Sequence, residues 1–231
     1  MKNFLFDLYG TLVDVRTDED NRKFRKKYAK YFSRIAPQVD FWQRYNEECE
    51  KIKADGEHFE PDIFKVFKAV APAVGEEQLL KAAYTFRKLS RSRLCLYKGA
   101  RKLLLKLKER GAGIYLVSNA QACFTVPELK KLRLYKLFDG IELSSDFGRK
   151  KPSKEFFMHA IQKYGLDIEE CIYCGNDFCA DIQGASSCGL ATAYIKSNIS
   201  PADDDLQKVK SLANFATSDY KNFVKYLLNI I

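Results

Sequence analysis

The carboxylate of Asp7 is the first side chain in the sequence whose position suits chemistry. It follows an apolar run and comes shortly before Gly10 and Thr11, in the stretch FLFDLYGTLVD over 4–14. An apolar run that ends at a turn residue is typical of a buried strand in a parallel sheet, and ligands of such sheets bind beyond the carboxyl ends of the strands. Asp7 is therefore either a group at the mouth of a binding site or an ordinary turn residue.

Two further segments carry polar groups that suit an anionic ligand. Ser118 and Asn119 follow the apolar run 113–117, and their hydroxyl and amide groups are able to bind the oxygens of an anion. Lys151 lies in a basic segment just before Pro152, at the start of a predicted helix, where its charge could steady an anionic intermediate. Each segment taken alone also fits a solvated loop.

A pair of carboxylates follows another apolar run. Asp177 and Asp181 come shortly after the run 171–174 and are four residues apart, at the predicted junction of a strand and a helix. At this spacing both side chains can lie on one side of the helix and meet a divalent cation together with Asp7. Mg²⁺ prefers such a sparse carboxylate set. The alternative is that one of the pair only caps the helix.

The elements that must position these groups form an alternating pattern from residue 97 onward. Helical patterns alternate with short apolar runs, which is the signature of a doubly wound α/β domain with a Rossmann-like parallel sheet core. After the opening strand, the predicted strands cover 113–117, 140–143, 171–174, 191–195 and 214–217. The predicted helices cover 99–110, 126–132, 153–164, 179–188 and 220–230.

A helical unit is predicted between the opening strand and this alternating region. The acidic segment 17–20 and the aromatic spacing that follows it predict a first helix, and Pro37 ends it. Further helices are predicted over 39–54, 61–71 and 76–93, and no convincing strand is found over 17–94. We therefore expect an α/β core domain formed by 1–14 and 97–231, with an all-helical, four-helix cap domain inserted at 15–96.

Composition and charge exclude several classes of protein. With 231 residues, of which 46% are hydrophobic, the chain can form a sizeable core, so disorder is not expected. The net charge of +9 weakly favours a small anionic substrate, whereas the cations are spread along the chain without a nucleic-acid motif. No apolar run is long enough for a membrane helix, and no signal peptide precedes the first strand. We expect a cytoplasmic protein that binds neither nucleic acid nor a membrane, with its oligomeric state left open.

The cysteines favour a reducing compartment. Seven of them, an odd number, are scattered from Cys49 to Cys188, which fits free thiols better than a disulfide framework. A zinc site of Cys171, Cys174, Cys179 and Cys188 is the alternative. We regard it as the weaker one because the paired CxxC spacing of zinc sites is missing and two of the four lie in a strand-like run.

Taken in order, the four polar segments resemble the motifs of the haloacid dehalogenase-like (HAD) hydrolase superfamily, and the resemblance covers essentially the whole chain. The helical insertion after the first motif is similar to the helical cap of that family. The motif matches are Asp7 with Gly10 and Thr11 for the first, Ser118 for the second, Lys151 for the third, and Asp177 with Asp181 for the fourth.

The resemblance implies a covalent mechanism. Asp7 would attack the substrate and form an aspartyl intermediate, which water then hydrolyses. The implied catalytic residues are Asp7, Tyr9, Ser118 and Lys151, and the implied substrate-binding residues are Thr11, Ser118, Asn119 and Lys151. By the same analogy, Mg²⁺ would be held by Asp7, the backbone carbonyl of Tyr9, Asp177 and Asp181.

Tyr9 departs from the pattern of the phosphatases in this superfamily. Those enzymes carry a second aspartate two residues after the nucleophile, which protonates the leaving alcohol, whereas this position is Tyr9 here. A tyrosine with a pKa of ~10 is a weaker acid for that task, and positioned acid catalysis typically contributes ~10²- to 10⁴-fold. Tyrosine is the residue that the 2-haloacid dehalogenases of the superfamily show at this position, and a departing halide needs no proton.

The paired acids of the fourth motif favour phosphate chemistry instead. Three carboxylates around an empty site would repel one another, so Asp177 and Asp181 beside Asp7 favour a bound cation. The leading hypothesis is a Mg²⁺-dependent phosphatase that acts on a small phosphorylated metabolite, with Tyr9 in place of the usual acid. The alternatives are a metal-independent 2-haloacid dehalogenase and a catalytically idle module that binds a phosphorylated ligand.

Overall fold

The computed structural model describes residues 2–231, within which eight strands and eleven α-helices lie. The strands are β1 (Asn3–Phe6), β2 (Val13–Thr17), β3 (Arg91–Leu96), β4 (Gly113–Ser118), β5 (Gly140–Leu143), β6 (Cys171–Gly175), β7 (Ala191–Ile195) and β8 (Phe215–Thr217). The helices before β4 are α1 (Arg22–Phe32), α2 (Phe41–Glu50), α3 (Ile63–Val70), α4 (Glu76–Ser90) and α5 (Ala100–Glu109). Those after it are α6 (Ala122–Lys131), α7 (Ser144–Phe147), α8 (Lys154–Lys163), α9 (Gly184–Ser187), α10 (Leu206–Lys210) and α11 (Tyr220–Asn229).

Six of the strands form one parallel sheet in the order β5-β4-β1-β6-β7-β8. The chain runs from β1 to one edge of the sheet and then returns to the other side of β1 with β6, so the strand order reverses beside β1. In such sheets ligands bind at the carboxyl ends of the strands where the order reverses. Phe6 is in register with Leu116 of β4 and Cys174 of β6, which brings the ends of these three strands together. The predicted doubly wound α/β fold is confirmed.

The opening strand is buried on both of its faces, as its uninterrupted apolar run predicts. Phe4 and Phe6 pack into the hydrophobic cluster that includes Leu103 of α5 and Phe223 of α11. Leu5 points to the opposite face and packs into the cluster that contains Phe156 of α8. The residue that follows this strand is therefore fixed by packing from both sides.

The helices α1 to α4 form a separate cluster built mainly from aromatic side chains. Tyr28, Phe41 and Phe86 are at most 2% exposed, and their rings lie 4.7–6.2 Å apart in tilted or edge-on arrangements. The first helix begins at Arg22 rather than in the acidic segment 17–20, because the side chain of Asn21 accepts the backbone N–H groups of the first turn.

Two further details of the sequence-based prediction are wrong. The last of these helices ends at Ser90, and residues 91–96 form β3, which pairs antiparallel with β2. Arginine and leucine favour helices, so local propensity extended the predicted helix to 93, and pairing with β2 overrides that propensity. The predicted helix over 179–188 consists of a wider, π-helical segment over Phe178–Gln183 that continues into α9.

Candidate active site

Asp7 lies just beyond the carboxyl end of β1 and is 7% exposed. Its Oδ1 accepts a hydrogen bond from Ser118 Oγ at 2.9 Å and lies 2.8 Å from the Nζ of Lys151. Its Oδ2 has one longer partner, the hydroxyl of Thr11 at 3.4 Å. The structure therefore brings together four residues from three of the motifs that the sequence analysis identified.

The ammonium group of Lys151 is fully enclosed by acceptors. Its Nζ lies 2.8 Å from Asp7 Oδ1, 2.7 Å from Asp181 Oδ1 and 2.7 Å from the hydroxyl of Tyr173. These three bonds use the three donors of the ammonium group. Asn119 fixes the backbone of Lys151, since its amide accepts from Lys151 N at 2.7 Å and donates to Lys151 O at 3.0 Å.

Burial and neighbouring charges act in opposite directions on the pKa values of this buried cluster. Burial raises the pKa of Asp7 above its ordinary value, Lys151 offsets this only in part, and the carboxylate of Asp181 raises it further. Burial alone would lower the pKa of Lys151, but Asp181 and Asp7 outweigh burial and raise it. A buried ion pair persists only when its geometry and hydrogen bonds offset the loss of hydration, and here every hydrogen of the ammonium is bonded.

The loop after β6 is organised by Asp181, which is 1% exposed. Its Oδ2 accepts the backbone N–H groups of Asn176 at 2.9 Å and Asp177 at 3.0 Å, while its Oδ1 bonds Lys151. The side chain of Asp177 caps the same segment by accepting from Ala180 N at 2.7 Å. Asp181 thus holds the loop in shape, and Asp177 remains partly accessible at its surface.

Two residues of the site were missed by the sequence analysis. Asn176 is 5% exposed and its Oδ1 accepts from the hydroxyl of Thr11 at 3.2 Å. Tyr173 is fully buried in β6 and donates to the backbone carbonyl of Val117 at 2.8 Å. A signal existed for Asn176, because it directly follows a strand next to β1, but Tyr173 is hidden within an apolar run.

The predicted metal ligands line one cavity, but they do not form a recognisable metal-binding cluster within the described residues. Asp7, Tyr9, Asp177 and Asp181 line a common cavity of about 260 Å³ together with Ser118, Asn119, Lys151 and Asn176. Within residues 2–231, no group of three or more histidine, cysteine, aspartate or glutamate side chains is arranged to hold a metal. The oxygen donors of the cavity are nonetheless of the hard type that Mg²⁺ prefers, so the chemistry of the donor set fits this ion.

The side chain of Tyr9 takes part in a different network. Its hydroxyl donates to Glu128 Oε2 at 2.5 Å and lies 3.2 Å from the hydroxyl of Thr125. The guanidinium of Arg87 lies 5.5 Å from the centre of the Tyr9 ring. Burial, and after it the negative charge of Glu128, raise the pKa of the Tyr9 phenol above its ordinary value.

A second cavity adjoins the first on the side of the helical cluster. It has a volume of about 340 Å³ and shares Tyr9 and Asn119 with the cavity around Asp7. Arg87, Glu19 and Glu60 from the helical insertion line it. A further cavity of about 410 Å³ lies between α2, α3 and α7, but it contains none of the predicted site residues.

The cysteines do not form a metal site in the described part of the chain. All seven are free thiols in the structure. Cys171 and Cys174 are buried in β6, whereas Cys179 is exposed. No helix among residues 2–231 is long and apolar enough to cross a membrane.

Comparison with known proteins places this geometry in a family. The model of the haloacid dehalogenase-like hydrolases matches residues 1–189. The glyceraldehyde 3-phosphate phosphatase of Methanocaldococcus jannaschii is 26% identical over 232 residues, which cover 100% of this chain and 97% of the relative. The enzyme of the same name from Pyrococcus furiosus is 28% identical over 196 residues, covering 85% of this chain and 81% of the relative.

Solved structures share the fold. A HAD phosphatase from Thermococcus onnurineus superposes with a TM-score of 0.61 at 21% identity, covering 98% of each chain. A dehalogenase superposes with a TM-score of 0.58 at 17% identity, covering 100% of this chain and 97% of the other. At these identities the structural likeness identifies the architecture alone, while the family model spans most of the sequence. The chain therefore belongs to the haloacid dehalogenase-like hydrolases.

Proposed function

We propose that the protein is a phosphatase of small phosphorylated metabolites in which Asp7 is the nucleophile. The observation that carries this proposal is the asymmetry of the Asp7 carboxylate. Ser118 and Lys151 hold its Oδ1, while Oδ2 has only the 3.4 Å contact from Thr11. One oxygen is thus fixed by strong donors and the other is free to attack a phosphorus atom.

The donors around Asp7 suit the charge that develops during such an attack. Oδ2 would form a bond to phosphorus as the bond to the leaving oxygen breaks, and Ser118 and Lys151 would then contact the oxygens of the transferred group. Thr11 and Asn119 complete the proposed substrate-binding set. In the structure Asn119 acts through the backbone of Lys151, which it holds by two hydrogen bonds.

We further propose that Mg²⁺ completes the site. Asp7, the backbone carbonyl of Tyr9, Asp177 and Asp181 are the proposed ligands, and Asp181 would at the same time keep the loop after β6 in place. When bound, the ion would offset the negative charge of the phosphate that approaches Asp7. The carboxylates in a single cavity support this part of the proposal, since like charges at short range favour a cation.

The relatives suggest which substrates to test first. Several sequence relatives carry the name glyceraldehyde 3-phosphate phosphatase, and another is named ribulose-1,5-bisphosphate 5-phosphatase, matching 53% of this chain at 28% identity. These names refer to phosphates of small carbonyl-containing sugars. We therefore propose a small phosphorylated metabolite as the substrate class of this chain.

The test is phosphate release from p-nitrophenyl phosphate, acetyl phosphate and glyceraldehyde 3-phosphate, with Mg²⁺ and with a chelator. We expect Mg²⁺-dependent turnover that falls by at least about 10³-fold in Asp7→Asn, because the amide is no nucleophile. Asp167→Asn is the matched control, since Asp167 is exposed, follows α8 and lines neither cavity. Absence of phosphate release across a broad panel of esters and anhydrides would refute the proposal.

A metal-independent 2-haloacid dehalogenase is the second candidate, and the tyrosine at position 9 is the observation that favours it. Halide release from 2-chloropropionate in the presence of a chelator would bring this candidate forward. An idle module that binds a phosphorylated ligand is the third, and it predicts thermal stabilisation by that ligand without turnover of any substrate.

A further inference from the structure

The cavity around Asp7 holds few protons that could be given to a leaving group. The three donors of Lys151 are bonded to Asp7, Asp181 and Tyr173. The hydroxyl of Ser118 donates a hydrogen bond to Asp7 Oδ1. The donors that line this cavity are therefore committed to holding the nucleophile and its neighbours.

The carboxylates of the cavity are engaged as acceptors. Asp181 accepts from Lys151 and from two backbone N–H groups, and Asp177 accepts from Ala180 N. Both oxygens of Asp181 and one oxygen of Asp177 are thus occupied as hydrogen-bond acceptors, and we assign both residues to the proposed metal site rather than to proton donation.

Tyr9 is the remaining candidate, and its hydroxyl hydrogen is already engaged in a hydrogen bond. The hydroxyl donates to Glu128 Oε2 at 2.5 Å. Glu128 is held in turn by Arg87 at 3.1 Å and by Arg91, and its side chain is 1% exposed. Both guanidinium groups bind Oε1 of Glu128, and its Oε2 accepts from Tyr9, which fixes the phenol hydroxyl in the direction of α6.

We infer that the site acts on phosphorylated compounds whose leaving group departs as a stable anion, namely acyl phosphates and phosphoanhydrides, in preference to alkyl phosphates. This inference rests on the proposed phosphatase function. It concerns the chemistry of the leaving group. It also assigns Tyr9 a positioning role, in which the phenol connects the loop after β1 to Glu128 and, through Glu128, to Arg87 and Arg91.

The preference for acyl phosphates and phosphoanhydrides follows from the charge that the leaving oxygen carries when its bond to phosphorus breaks. A carboxylate oxygen of Asp7 bonds to phosphorus, and the bond from phosphorus to the leaving oxygen breaks with its electron pair on that oxygen. An acyl phosphate releases a carboxylate whose acid has a pKa of ~4, whereas an alkyl phosphate releases an alkoxide whose acid is about as weak as water. The alkoxide needs a proton that the cavity does not supply.

Water then attacks the aspartyl phosphate, the bond between Asp7 and phosphorus breaks, and both protons of the water leave with the phosphate product or to solvent.

Two other carboxyl groups must be tested as acids. Glu19 and Glu60 line the adjoining cavity, and neither lines the cavity around Asp7. Glu60 accepts from the amide of Gln121 at 2.6 Å, while Glu19 is exposed. If either were the acid, its amide variant would lose activity on alkyl phosphates and keep it on acyl phosphates.

The experiment measures kcat/KM for acetyl phosphate, p-nitrophenyl phosphate, phenyl phosphate and glycerol 3-phosphate. The value of kcat/KM depends on the steps up to phosphoryl transfer to Asp7. It therefore reports that transfer even where hydrolysis of the aspartyl phosphate limits kcat. We expect kcat/KM to fall by about threefold to tenfold for each unit of leaving-group pKa, as in a reaction without acid assistance. Tyr9→Phe, which keeps the ring and removes the proton, is expected to leave this slope unchanged.

Three outcomes would overturn the inference. They are a shallow slope in the wild type, a selective loss on glycerol 3-phosphate in Tyr9→Phe, or the same selective loss in Glu19→Gln or Glu60→Gln. Each of them would leave the phosphatase proposal standing, because turnover itself would persist. Absence of turnover on all four compounds would instead remove the phosphatase proposal and the inference together.

Discussion

The hydroxyl of Tyr9 lies 2.5 Å from Glu128 Oε2, although the two residues are 119 positions apart in the chain. Through Glu128 the loop after β1 is connected to Arg87 of α4 and Arg91 of β3. One buried carboxylate thus joins the loop after β1, the helical insertion and the β2–β3 pair. The geometry of the site depends on this network as well as on the sheet.

Glu128→Ala is expected to destabilise the protein by about 3–5 kcal/mol, because it leaves two largely buried guanidinium groups without their carboxylate. The free energy of unfolding, measured with a chemical denaturant, checks the expectation. Glu76→Ala is the matched control, since Glu76 pairs with Lys68 on the surface with a side chain 66% exposed. A loss in Glu128→Ala as small as that of the control would contradict the prediction.

Tyr9→Asp removes the phenol and places a carboxyl group two residues after Asp7, where the sequence analysis expects the acid of a phosphatase. We expect kcat/KM for glycerol 3-phosphate to rise by about tenfold or more, since positioned acid catalysis is typically worth ~10²- to 10⁴-fold. The value for acetyl phosphate should change little, because a carboxylate needs no proton on departure. Circular dichroism and an unfolding midpoint establish that the variant is folded. Unchanged or lower turnover of glycerol 3-phosphate by the folded variant would contradict the account of the missing acid.

The positions of Asp7 and Ser118 could be predicted from the sequence because each ends an apolar run. Parallel strands end at one edge of a sheet, so the residues that follow them meet whatever the details of packing. The pairing of β1 with β4 and the 2.9 Å contact between the two side chains follow from this rule. The α/β fold was predictable for the same reason, since alternation of helices and apolar runs is a property of the chain itself.

The contacts of Tyr9 and Tyr173 could not be predicted in this way. Tyr173 lies inside an apolar strand, and periodicity gives no reason to expect its hydroxyl on Lys151. The bond from Tyr9 to Glu128 depends on how α6 packs against the loop after β1. The strand β3 was missed because its pairing with β2 joins residues about 80 positions apart, which local propensity does not report.

Asp177→Asn and Asp181→Asn are expected to have different effects, although the sequence presents the two residues as a pair. Asp181 is buried and bonded through both oxygens, so its amide variant should lower the unfolding midpoint without added metal. Asp177 is partly accessible, so its variant should keep the midpoint and lose the stabilisation by Mg²⁺. That stabilisation is about 2.7 kcal/mol at a Mg²⁺ concentration of 100 times Kd. Equal Mg²⁺ stabilisation in the wild type and Asp177→Asn would argue against Asp177 as a ligand.

The cysteines should differ sharply in reactivity. Cys179 is exposed, whereas burial raises the pKa of Cys171 to about 11 and that of Cys123 to about 12. At pH 8 only about one buried thiol in 10³ or fewer is ionised, and the thiolate is the reactive form. Iodoacetamide labelling followed by peptide mass spectrometry should find Cys179 labelled well before these two, and Cys179→Ser should lack that early product. Early labelling of Cys123 in the folded protein would contradict the expectation.

Gly10→Ala and Gly111→Ala separate the cost of a left-handed backbone from the cost of a close contact. Both glycines have a positive φ, of 95° and 77°, so an alanine at either position is expected to cost about 1–2 kcal/mol. A Cβ at Gly111 would meet nothing within 4 Å, whereas a Cβ at Gly10 would overlap the amide group of Asn176. Because Asn176 bonds Thr11, the overlap would displace the loop that carries Asp7. We therefore expect a larger loss of unfolding free energy in Gly10→Ala, together with a loss of turnover that Gly111→Ala does not show. Equal stability and equal activity of the two variants would mean that the close approach of Asn176 to the loop after β1 does not contribute to the site.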